Sequence, residues 1–156
     1  MAFIIVDEGL NQPRKRIYKT VKHSDCAYIN LAKINSHEFS KFISAFDTKI
    51  LAFIPAGKFL SKANQIRLIE YASIGNEFWG WFARTNSDNK KFKIMADRFN
   101  FNETGLFLTQ ETFFSIGGEE LKIFTDFKFL YRKLNARLVP QKVYLPLVNM
   151  NRFNKP

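Results

Sequence analysis

The unbroken apolar stretch Ile50-Leu51-Ala52-Phe53-Ile54 stops abruptly at Pro55 and Gly57. A strand that is apolar at every position has no face for water and must be covered on both sides. That is the situation of a central strand in an α/β sheet. The other apolar stretch, residues 2–6, is equally short, and neither approaches the roughly 20 residues needed to cross a bilayer.

The segments around this strand alternate in period. Residues 3–6 are β-branched and apolar and end in a Gly9, Asn11, Pro13 cluster, as a strand running into a loop would. Residues 14–22 read as a helix with Pro13 near its first turn, and residues 26–31 read as a second strand. Ser36 is a candidate N-cap for a helix to about Phe46, residues 49–54 are the third strand, and residues 61–74 read as another helix. This order predicts a parallel α/β sheet with right-handed crossovers. Phe39, Phe42 and Phe46 recur at three and four residues, a helical stripe that predicts core packing.

The second half changes character. Residues 78–85 are aromatic and strand-like, residues 91–99 are compatible with a helix, and residues 105–109 form another short strand. Residues 111–116 make a helical turn ended by Gly117 and Gly118, residues 126–135 form a basic amphipathic helix, and residues 141–147 form an extended tail. No repeat or low-complexity linker divides the chain, so residues 1–156 are read as a single domain, a size at which one core suffices.

Composition narrows the chemistry. Cys26 is the only cysteine, which excludes an internal disulfide and a cysteine-based zinc cluster, and His23 and His37 are too isolated to suggest a metal site. The N-terminus lacks the pattern of a secretory signal, so a cytoplasmic protein is expected. The 24 basic residues exceed the 14 acidic ones, giving a formal charge of +10 that favours phosphates or the inner face of an anionic membrane. Arg14, Lys15, Arg16, Lys19 and Lys22 form one cluster, and Lys128, Arg132, Lys133 and Arg137 form another. No zinc-finger or aromatic RNA-binding motif accompanies them, which makes nucleic acid the less favoured partner.

The most specific stretch is Gly105-Leu-Phe-Leu-Thr-Gln-Glu-Thr-Phe-Phe-Ser-Ile-Gly-Gly118, followed eight residues later by Asp126 and then by Phe129, Leu130, Arg132 and Leu134. It resembles the acceptor half of family 2 glycosyltransferases of GT-A fold, in which a short strand, an aromatic residue, a Gly-Gly turn and an acidic pair opening a helix follow in order. The nearest pattern is the type called radical-SAM/selenodomain-associated transferase 2. Its Trp-Gly-x-Phe segment resembles Trp79, Gly80, Trp81 and Phe82, and its Arg-Arg-aromatic ending resembles Asn151, Arg152 and Phe153. Val6-Asp7-Glu8-Gly9 is similar to the family's Val-Asp-Gly-Gly segment, and residues 51–60 stand where its strand ends in a His-Ala-Asp metal motif.

The resemblance implies a mixed, mainly parallel sheet flanked by helices, a nucleotide-sugar donor, and a sugar or lipid-linked acceptor. Asp126 would be the catalytic base, with Thr125 in place of a preceding Glu. Asp7, Lys58, Trp79, Trp81, Glu103, Gly117, Gly118 and Arg152 would contact substrate, with one indole lining a cleft while the alternate residue packs inward. The family expects a manganese or magnesium ion, yet Pro55 and Gly57 occupy its His and Asp positions and no carboxylate remains there for the metal. Relative to the family the chain is about one βα unit short at its start, a unit that a partner chain could supply.

Each assignment has a plainer counterpart. Asp126 can be an N-cap, Gly117 and Gly118 a helix C-cap, and Asp7 and Glu103 ordinary loop acids. Lys58 is either a fixed cation beside a diphosphate or a solvated lysine. Two functions therefore stand: a glycosyltransferase-like protein, either weakly active or binding only, and a basic interaction module for membrane, nucleic acid or protein.

Overall fold

The computed structural model describes residues 1–7, 26–30, 32–55, 57–84, 105–141, 143 and 145–149. The helices expected over residues 14–22 and 91–99 lie outside them, as do Glu103 and Arg152.

The first three strands are β1 (Ala2–Asp7), β2 (Cys26–Asn30) and β3 (Ile50–Pro55), and they pair in parallel with β1 in the middle. On the far side of β3 lies β7 (Leu106–Thr109), antiparallel to it, and β5 (Trp79–Trp81) pairs antiparallel with β7. The sheet order is thus β2-β1-β3-β7-β5, with β3 central as its apolar sequence requires. Its pairings divide evenly, two parallel and two antiparallel, so the sheet is mixed, parallel over β2-β1-β3 and antiparallel over β3-β7-β5. The reason is local to β7, which runs against both of its neighbours. A second sheet, unforeseen, joins β4 (Lys58–Leu60), β8 (Pro146–Asn149) and β6 (Ala83–Arg84) in the order β4-β8-β6.

Among the described residues, five helices cover the strands. Helix α1 (Ser36–Ser44) begins at a capping box in which Asn35 Oδ1 accepts from the Glu38 N–H at 2.9 Å and Glu38 Oε2 accepts from the Asn35 N–H at 3.2 Å. The cap is Asn35 rather than Ser36, because the Asn carboxamide reaches the third backbone N–H while Glu38 answers it. Helix α2 (Lys62–Ile74) is capped by Ser61, and it buries Gln65 by donating Nε2 to the Leu60 carbonyl at 2.7 Å. Helices α3 (Gln110–Ser115), α4 (Leu121–Thr125) and α5 (Phe127–Arg137) follow in close succession. The sequence reading passed over α4, whose five residues are too few to show a helical period.

Alternation along the strands sorts the interior into two layers. Leu51, Phe53, Leu106 and Leu108 point into one core with Phe39, Ile43, Phe113, Phe124, Leu130 and Leu134, which come from α1, α3, α4 and α5. Ile50, Ala52, Ile54 and Phe107 point the other way, against Leu68 and Ala72 of α2 and against Leu145 and Leu147. Every residue from Ile50 to Ile54 is therefore buried because the sheet is covered on both faces. Phe39 is buried, and Phe42 and Phe46 pack partly buried at its edge with their rings 5.2 Å apart. The phenylalanine stripe is thus core, as its spacing predicts.

Candidate functional site

The order β2-β1-β3 reverses direction at β1, because β2 is added on one side of it and β3 on the other. In open α/β sheets the crevice beyond the carboxyl ends of strands at such a reversal is where ligands bind. Here β1 ends in Asp7 and β3 ends in Pro55, and the register pairs Val6 with Pro55 and Asp7 with Asn30. Asp7, Asn30 and the turn after Pro55 therefore share one edge of the sheet. Asn30 did not stand out in the sequence. Its Oδ1 accepts from the Ala32 N–H at 3.0 Å and shapes the turn out of β2.

Gly57 sits in that turn with φ +82°, a left-handed conformation that favours glycine, and no neighbour lies within 4 Å of the place where its Cβ would stand. Backbone conformation rather than crowding therefore favours glycine where the resemblance expected an aspartate. Lys58 follows at the start of β4, partly buried and in register with Asn149. Among the described residues no group of three or more His, Cys, Asp or Glu side chains comes together, and a glycine beside a lysine offers no hard oxygen ligand.

Opposite this turn the chain returns through Gly105, at φ +115°, where a Cβ would stand 2.5 Å from the Phe53 carbonyl oxygen and 3.0 Å from Pro55 Cδ. Only glycine lets β7 begin this close to the end of β3.

The Gly-Gly turn belongs to a helix C-cap. Gly117, at φ +71°, donates its N–H to the Phe114 carbonyl at 3.0 Å, and Gly118 donates to Phe113 at 2.9 Å, the paired bonds of a Schellman motif. A Cβ on Gly118 would meet the Phe113 ring at 2.6 Å, so both glycines have structural reasons to be there. Glu119, which the sequence reading did not single out, follows directly. Its Oε2 is buried without a hydrogen-bond partner among the described residues. An acid placed immediately after a Gly-Gly turn was the signal available for it.

Asp126 is exposed and caps α5, with Oδ1 accepting from the Phe129 N–H at 3.0 Å. The Thr125 hydroxyl turns back to the Leu121 carbonyl at 2.9 Å, so it takes no part in an acidic pair. Two residues before Asp126, the Phe124 ring packs 4.7 Å from that of Phe53, which itself lies two residues from the end of β3. Lys58 leads through Leu60 into the other core layer. Phe124 and Leu60 thus lie in the two core layers on either side of the sheet.

The two tryptophans correct an expectation. Trp79 and Trp81 are two residues apart on one strand and share a face, and both are buried in the first core, at 0% and 5% exposure. Neither indole lines an open cleft. Trp79 Nε1 donates to the Leu138 carbonyl at 2.6 Å, and its ring meets Tyr131 edge-on at 5.8 Å, which ties β5 to α5. Trp79→Phe should therefore cost about 1–3 kcal/mol in denaturant unfolding, because the Leu138 carbonyl loses its donor. A variant as stable as the parent would show that this bond contributes nothing.

No protein-family model and no curated protein sequence matches the chain.

Proposed function

We propose that this chain is a glycosyltransferase-like protein of GT-A type that binds a nucleotide-sugar beyond the ends of β1 and β3. The observation that carries the reading is the reversal of strand order at β1, which brings Asp7 and the Pro55-to-Lys58 turn to one edge. Asp7 contacts the base or ribose, and Lys58 supplies positive charge beside the diphosphate in place of a metal. Asp126 takes the proton of an acceptor hydroxyl as that oxygen attacks the anomeric carbon, and the nucleoside diphosphate leaves with the electrons of the broken bond. With Gly57 in the metal position, transfer is slow, or the protein only binds.

Ligand-observed NMR against a panel of nucleotide-sugars tests the donor site. The expected result is binding that free nucleoside diphosphate displaces, that chelator leaves unchanged, and that Lys58→Ala weakens about tenfold or more, the loss of one charge-assisted contact. Absence of binding across the panel, or binding indifferent to Lys58→Ala, would overturn this reading of the site.

A further inference from the structure

We infer that the outer face of α5 docks on an anionic lipid membrane. The inner face of this helix is settled by Leu130 and Leu134, both buried beneath it, and by the partly buried Tyr131. Phe129, Arg132 and Ala136, spaced three and four residues apart, share the opposite face, and all three are exposed. Phe129 keeps 43% of its surface in solvent, and Val139, just past the helix end, keeps 75%. Lys128 is exposed beside this face and Lys133 lies partly buried on the other flank, its Nζ 5.3 Å from the centre of the Phe129 ring.

Charge decides what this face suits. Residues 127–140 carry four basic residues and no acidic one. Arg137 is paired with Glu77 at 2.8 Å and Lys133 donates to the Ile116 carbonyl at 3.1 Å, whereas Lys128 and Arg132 make no ion pair with any described residue. Phosphates of nucleic acid would reward the cations alone. A membrane interface rewards the cations and also buries the exposed Phe129 and Val139, the combination of an interfacial amphipathic helix. No helix among the described residues is long and apolar enough to cross a membrane, so contact through this helix would be peripheral. The docking does not rest on the nucleotide-sugar reading. If that reading holds, it would bring a lipid-linked acceptor toward Asp126 at the start of the same helix.

Co-sedimentation of the full chain with phosphatidylcholine vesicles, with and without phosphatidylserine, tests the inference. Binding should require phosphatidylserine and fall as salt is raised. The double variant Lys128→Glu/Arg132→Glu should lower the partition coefficient about thirtyfold or more, the worth of two basic residues at an anionic surface. Phe129→Ala should lower it severalfold with the fold intact by circular dichroism. A charge-matched control, Lys41→Glu/Lys62→Glu on exposed positions of α1 and α2, should lose much less. Three results would overturn the inference: no binding to phosphatidylserine vesicles, equal loss in the control, or binding indifferent to Phe129→Ala. Tighter association with duplex DNA than with vesicles, lost in the α5 double variant, would replace it with a phosphate-binding surface.

Discussion

Phe53→Ala is expected to lower the unfolding free energy by about 3–5 kcal/mol, the usual cost of truncating a buried phenylalanine. Its side chain is 2% exposed at the centre of the sheet, with the ring 4.7 Å from Phe124 and 5.4 Å from Phe113. Phe124 in turn lies 5.0 Å from Phe39, so α3 and α4 meet the Phe53 ring directly and α1 is linked to it through Phe124. The cavity left by alanine cannot be filled by one helix without pulling on the other two. Because domains are stable by only about 5–15 kcal/mol, the variant should be close to unfolding at physiological temperature. Urea titration of the parent and the variant measures the difference. The control is Ile74→Ala, at a position 82% exposed, which should change stability by no more than about 0.5 kcal/mol. A loss below about 1 kcal/mol at Phe53 would mean that these helices do not pack on the strand as described.

Asp126→Asn carries the largest expected effect on activity. Asparagine keeps the oxygen that accepts from the Phe129 N–H, and it caps helices as well as aspartate does, so stability should not change. It cannot take a proton, and any sugar transfer should fall by about 100-fold or more. Asp126→Ala loses both functions, and should match the asparagine variant in turnover while also losing about 1 kcal/mol of stability. Parental turnover should itself be weak, about 100- to 1,000-fold below that of an intact metal-assisted site, and unaffected by chelator. Robust turnover abolished by chelation would imply a metal ligand other than position 57 and refute the proposal's account of the diphosphate. Transfer that survives in Asp126→Asn would remove Asp126 as the base. Nucleotide binding without turnover in the parent would identify a binding-only relative.

Local sequence carried much of the fold. The run from Ile50 to Ile54 specifies a strand covered on both faces, because five consecutive apolar side chains leave no side for water, and β3 is central for that reason. Phe39, Phe42 and Phe46 lie at helical spacing on α1 or just beyond its end, and their packing follows from that period. Asp126 as the cap of α5 and the glycine pair as the cap of α3 were also readable, since each depends on hydrogen bonds spanning only a few residues.

Only the tertiary structure decided how these pieces associate. Residues 106–109 read as a strand, but nothing within four residues says whether β7 runs with β3 or against it. That choice depends on pairing with strands more than 20 residues away, as does the β4-β8-β6 sheet, in which Lys58 meets Asn149. The tryptophans show the same limit. Alternation places Trp79 and Trp81 on a common face, but whether that face meets solvent or a helix depends on where α5 lies. Candidate site chemistry followed the same division. Asp7, Lys58 and Asp126 were visible as residue types in suggestive places, whereas the shared edge of Asp7 and the Pro55-to-Lys58 turn exists only because β3 crosses to the far side of β1. Side-chain period is set by bonds along the chain, while strand order is set by which apolar faces can be covered together, and that is a property of the whole molecule.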